Sequence, residues 1–102
     1  MNKIIKNGEV AVLVSPGFGA GWYTWNVHCP ECLFDPEIVQ MVLDGVDYLD
    51  IEQFAEKKYG ENFHAGGAVT LEVKWITQGR KFYVMEYDGS ESVIFENEMV
   101  EA

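Results

Sequence analysis

From Ala68 to Phe95 apolar and polar side chains alternate with a period of two, whereas from Phe34 to Tyr59 the apolar ones recur three and four residues apart. A period of two suits a pleated strand with one face covered, and spacings of three and four make one stripe of a helix. The chain therefore carries helices first and an antiparallel meander afterwards. In the later half Leu71, Val73 and Trp75 point one way and Thr70, Glu72 and Lys74 the other, until Gln78-Gly79 turns the chain into a hairpin. The second arm, KFYVMEYD, puts Phe82 and Val84 on one face and Tyr83, Met85 and Tyr87 on the other, so both faces should find partial cover. Asp88-Gly89 makes a second tight turn into a strand over 91–95, and the closing residues 96–102, ENEMVEA, should fray.

Upstream, EVAVLV at 9–14 is short and β-branched, a buried strand that stops where Ser15 and Pro16 begin a turn. Asp35 can cap a helix that Pro36 opens, that buries Ile38, Val39, Met41 and Val42, and that Gly45 ends. A second helix has Asp47 or Asp50 as its cap, with Gln53 placed as in a capping box to Asp50, and Gly60 as its stop. Its buried stripe is Ile51, Phe54, Ala55 and Tyr59. The expected architecture is α+β: an antiparallel sheet of about four strands in the order β-α-α-β-β-β, with two short helices on one face, as one domain over 1–102.

Charge excludes more than it specifies. Seventeen acids stand against seven bases, and none of those bases falls between Lys6 and Lys57. A net charge of −10 repels phosphate backbones, so direct nucleic-acid binding is excluded, while a basic groove on another protein would be attracted. The N-terminus carries no secretory signal and no stretch is apolar enough to span a membrane, which places the chain in a cytoplasm.

The stretch SPGFGAGWYTWN, 15–26, is the main candidate site. It matches neither a dinucleotide-binding nor a P-loop fingerprint. Glycines at 17, 19 and 21 can nevertheless leave main-chain amides uncovered to grip an anion or carbonyl. Trp22, Tyr23 and Trp25 offer planar walls, and Asn26 both donates and accepts. Ser15 and Phe18 would complete this side of a pocket for a small polar ligand, and Asp88 and Ser90, from the tip EYDGSES, would supply hydrogen bonds opposite if the two turns meet. The competing reading is a sharp chain crossing whose tryptophans fill the core. Lys74, Arg80 and Lys81 form the one basic cluster, so a phosphorylated ligand would need them to approach from elsewhere in the sheet or from a second copy in a homo-oligomer.

Cys29 and Cys32, in HCPECLFD, have half the spacing of a zinc site, with His64 as a further donor, but no second pair completes it. Elsewhere no nucleophile, acid–base or redox constellation is recognisable, so the chain reads as non-catalytic and without a cofactor.

VAVLVSPGFGAGWYTWN, with LFDPEIVQMV and LEVKWITQGRKFYVMEYDGSESV, resembles a group of small proteins carried by tailed bacteriophages. The resemblance implies an accessory factor that counters bacterial immunity, either by sequestering a nucleotide-derived signal or by occupying an immune protein. The leading expectation is the ligand-sequestering role, with the pocket at 15–26 and 86–92. Its alternatives are an acidic inhibitor that docks on a basic groove of an immune effector or nuclease, through Glu37, Asp44, Asp47, Glu52 and Glu56, and a zinc-stabilised interaction domain.

Overall fold

The computed structural model describes residues 2–96; the fraying expected of the closing residues concerns positions that, from 97 on, lie outside the described ones. The fold is α+β, and the described residues form five strands in two sheets, against the expected sheet of about four. Strands β1 (Ile5–Lys6), β2 (Glu9–Val14) and β3 (Glu72–Thr77) form an antiparallel sheet in that order, while β4 (Phe82–Tyr87) and β5 (Ser90–Phe95) form a separate hairpin. Two helices, α1 (Pro36–Leu43) and α2 (Tyr48–Tyr59), lie between β2 and β3 in the chain. Two 3₁₀ turns, Pro30–Leu33 and Ala65–Thr70, flank them.

Both helices begin where side-chain oxygens replace missing helical partners. Asp35 accepts from the amides of Glu37 and Ile38 at 3.0 and 3.1 Å, and Asp47 from Leu49 at 2.8 Å. Asp47 is thus the cap of α2, and Asp50 sits in its first turn instead of making a capping box with Gln53. Of the expected stripes Ile38 and Val39 of α1 and Ile51 and Ala55 of α2 are buried, whereas Met41, Val42, Phe54 and Tyr59 are half-buried against the same core. Gly45 and Gly60 follow the helices at positive φ.

The hairpin expected across Gln78-Gly79 does not form. Strand β3 pairs along its whole length with β2, from Glu9 opposite Thr77 to Val14 opposite Glu72, and the Gln78 amide continues that ladder by donating to Gly8 O at 2.9 Å. Two hairpins do close on two-residue turns, Asn7-Gly8 and Asp88-Gly89, each with positive φ at both central positions, which matches the twist of the flanking strands.

Strand β2 is therefore central and covered on both faces. Ala11 and Leu13 face the helices together with Val73, Trp75, Trp22 and Phe63. Val12 and Val14 face the other way with Ile76 and Leu33, and the β4–β5 hairpin covers them with Phe82, Val84, Val93 and Phe95. This gives three layers: helices, sheet, hairpin. One face of β4 stays open, for Tyr83, Met85 and Tyr87 are exposed instead of partly covered.

Candidate functional site

The glycine stretch and the Asp88-Gly89 turn meet. Gly19 N donates to Asp88 O at 3.0 Å, Ser90 Oγ to Pro16 O at 2.6 Å and Glu91 N to Ser15 O at 2.8 Å. The fit is tight enough to require glycine: a Cβ on Gly89 would stand 2.5 Å from Ala20 N and 2.7 Å from Gly19 C. The turn Ala65–Thr70 closes in from a third side. A Cβ on Gly67 would stand 2.6 Å from Gly21 O, and Thr70 Oγ1 bonds both Ser15 Oγ, at 2.7 Å, and Gly17 N, at 3.2 Å.

Glu91 binds this assembly, a role the sequence does not announce. Its carboxylate is 2% exposed and accepts from Ser15 N at 2.9 Å, Thr24 N at 2.8 Å and Thr24 Oγ1 at 2.7 Å. Three donors on one carboxylate replace the water lost on burial. A polar residue on a hairpin reads as a solvated group, and its burial follows only from the packing of distant segments.

Most of the residues expected to hold a ligand hold each other instead. Trp22 is fully buried, its Nε1 donating to Cys32 O at 2.9 Å and its ring edge-on to Phe63, so neither face of the indole is open. Buried Asn26 donates to Trp22 O at 2.6 Å and His64 O at 2.9 Å and accepts from His64 N at 2.7 Å, which engages both ends of its amide. Gly17 N and Gly19 N are bonded as above, and Ser15 lies buried. Packing also fills the space beside Gly21, where a Cβ would stand 2.8 Å from the Trp25 ring. Phe18 and Trp25 remain outside, 74% and 40% exposed, and the Asp88 side chain is at the surface. The reason is geometric: three glycines in alternate positions let this loop sink against two neighbouring turns until its own donors are taken up.

The clefts run beside this assembly or away from it, not through its glycines. One of about 420 Å³ is lined by Pro16, Lys74, Trp75, Ile76, Glu91, Ser92, Val93 and Phe95. Others run past Lys3, Phe34, Gly79, Arg80, Lys81 and Glu96. None of these touches Gly17, Gly19 or Gly21. Of the basic cluster, Lys74 shares a cleft with Pro16, and Arg80 lies over the Phe95 ring at 3.6 Å.

No metal centre forms around the cysteines among the described residues. Among the described residues no three histidine, cysteine or acidic side chains stand close enough to hold an ion. Cys32 is buried, and burial first, then neighbouring Cys29 and Glu91, pushes its thiol well above the usual range, which makes it a poor nucleophile.

The other charged constellation joins the two helices. Asp35, beyond capping α1, accepts from Lys58 Nζ at 2.8 Å and from Tyr59 Oη, and Lys58 also bonds Glu37 at 2.9 Å. Burial alone would raise the Asp35 carboxyl, but the bonds from Lys58, Tyr59 and Ile38 N outweigh it and hold it below its ordinary value. Every part of this cluster has a structural partner. No helix among the described residues is long and apolar enough to cross a membrane. The chain matches no protein-family model, no curated protein and no solved structure.

Proposed function

We propose that the chain is a non-catalytic protein-binding module that docks through the apex where the glycine stretch and the β4–β5 turn interlock. The observation that carries this reading is the bond from Gly19 N to Asp88 O, which sets Phe18 and Tyr87, the residues just before each partner, at the same end of the molecule with 74% and 77% of their surface exposed. Tyr83 and Met85 continue from Tyr87 along the open face of β4. Aromatic residues and methionine anchor interfaces well, because they bury much area while fixing few rotamers. Here they sit on loops tied to one another by the bonds above, which lowers the chain entropy that binding has to remove.

The small-ligand expectation is less well supported here, since Gly17 N and Gly19 N are bonded, Trp22 is sealed, and the cleft beside Pro16, Glu91 and Ser92 does not reach Gly17, Gly19 or Gly21. Acidity suits the protein-docking alternative instead. A chain at −10 speeds encounter with a basic surface, and in the setting that the phage resemblance implies that surface belongs to an immune effector or nuclease. The expected helix acids are less suited as anchors: Glu37 is paired with Lys58, Asp47 caps α2, and Asp44 accepts from Gln40 Nε2.

Affinity capture from bacterial lysate tests the reading. A partner retained by the wild type should be lost from a Phe18→Ala/Tyr87→Ala variant and kept by Leu43→Ala/Leu49→Ala on the helical side, with binding weakened by salt. Capture that survives loss of both aromatic residues would overturn the apex as the docking site.

A further inference from the structure

The geometry points to a second binding site beside the apex: the cleft between β3 and β5 takes up an extended peptide segment as an added strand, with a carboxylate of that segment facing Lys74. The argument starts from hydrogen-bond parity. Ala11 N donates to Ile4 O and Gln78 N to Gly8 O, so odd-numbered residues of β2 bond toward β1 and even-numbered ones toward β3. On β3, Glu72, Lys74 and Ile76 consequently spend their main-chain groups on β2, while those of Val73 and Trp75 point to the outer edge. On β5 the Asp88-Gly89 turn closes on Tyr87 and Ser90, so Ser90, Ser92 and Ile94 bond to β4, and Glu91, Val93 and Phe95 turn outward. The bond from Glu91 N to Ser15 O fits that parity.

Among the described residues no strand pairs with the outer edge of β3, and beyond Glu91 none pairs with that of β5. Residues of both strands line the same cleft of about 420 Å³, Lys74, Trp75 and Ile76 from β3 and Glu91, Ser92, Val93 and Phe95 from β5. An open edge six residues long is a template for another strand, and folded proteins usually block such edges. Ile76, Val93 and Phe95 make an apolar lining for alternate side chains of an incoming strand, while Ser92, Lys74 and Glu91 are its polar groups, the Glu91 carboxylate being already taken up by Ser15 N, Thr24 N and Thr24 Oγ1. Lys74 determines the charge of the occupant. Screening limits the influence of the distant acids of α1 and α2 to about 8 Å, and the Glu91 carboxylate in the cleft is engaged by three donors, so exposed Lys74 is the charged lining residue that an incoming carboxylate can meet.

Nuclear magnetic resonance with a designed probe, acetyl-Thr-Val-Glu-Val-Thr-Val-amide, tests the site. Binding should shift the amides of Val73, Trp75, Val93 and Phe95 and slow hydrogen exchange at Val73 and Trp75. The same peptide N-methylated at alternate amides keeps its side chains but cannot pair, and should bind at least about tenfold more weakly, the effect of losing one or two main-chain bonds. Replacing the probe glutamate by glutamine, or Lys74→Gln in the protein, should weaken binding severalfold. Val73→Pro removes an outward N–H without breaking the β2 ladder, so it should abolish binding, and probe N-methylation tests the same bond should that variant fail to fold. Absence of shifts at these amides with millimolar probe would overturn the proposal, as would equal binding of the N-methylated probe. So would slowed exchange at Val73 and Trp75 without peptide, if it rose with protein concentration, since the occupant would then be a second copy. Binding that appears only after truncation beyond Glu96 would also overturn it, because the chain's own closing residues would then fill the cleft.

Discussion

Two glycines in equivalent turns separate the strain of a backbone from the cost of a collision. Gly8 and Gly89 each occupy the second position of a two-residue hairpin turn, at φ of 77° and 84°. A Cβ on Gly8 meets nothing within 4 Å, whereas one on Gly89 meets Ala20 N at 2.5 Å and Gly19 C at 2.7 Å. Alanine at positive φ costs about 1–2 kcal/mol, offset by about 0.4–1 kcal/mol because the unfolded chain also loses freedom, so Gly8→Ala should cost about 1 kcal/mol. Gly89→Ala adds an overlap with main chain, which cannot rotate away as a side-chain tip can. Relieving it requires separating the tip from the loop, with loss of the bonds Gly19 N to Asp88 O and Ser90 Oγ to Pro16 O at about 1 kcal/mol each. The expected total is about 3 kcal/mol. In a domain of this size that corresponds to a fall in Tm of about 15–20 °C, against about 5 °C for Gly8→Ala. Thermal and urea denaturation of both variants provides the comparison. Equal losses would show that the tip does not press on the loop, and the account of the apex would fail with it.

Glu91→Gln should destabilise by about 2–3 kcal/mol, because an amide nitrogen would then face an N–H or hydroxyl that now finds an acceptor; a urea midpoint unchanged from wild type would refute the role given to that carboxylate. Asp35 gives the acid limb its sign. Its folded carboxyl lies below the unfolded value of about 3.9, so its contribution is complete above that pH and is lost as pH falls through the folded value. Asp35→Asn should therefore be less stable than wild type at neutral pH, with the difference shrinking below about pH 4; a difference independent of pH in urea titrations would contradict this. Phe18→Ser should change Tm by less than about 3 °C, since an exposed ring contributes little to folding, and a larger fall would mean that Phe18 is packed rather than presented.

Local rules made part of this fold legible. Asp35-Pro36 and Asp47 mark the helix starts because capping depends on residues two or three apart, and Asp88-Gly89 marks a hairpin because its turn needs positive φ at both positions. Asn7-Gly8 carried the same turn signal, but β1 is two residues long and shows no alternation to support it. The misread elements depend on distant segments. Gln78-Gly79 looks like a hairpin turn until β2, more than fifty residues earlier in the chain, takes the pairing of β3. Trp22 and Trp25 are equivalent in composition, yet one seals the core against Phe63 and the other lies beside His64 at the surface. The glycine stretch and the 86–92 tip could be singled out from sequence, but whether they enclosed a hollow depended on Thr70, Gly67 and Glu91 filling the space between them.

Photo-crosslinking tests the docking account most directly. With p-benzoyl-phenylalanine at position 87 in one variant and at position 49 in another, illumination in bacterial lysate should join a protein partner to the first and leave the second uncrosslinked. Covalent capture of a partner from position 49 but not from position 87 would place the docking surface on the helices and contradict the apex.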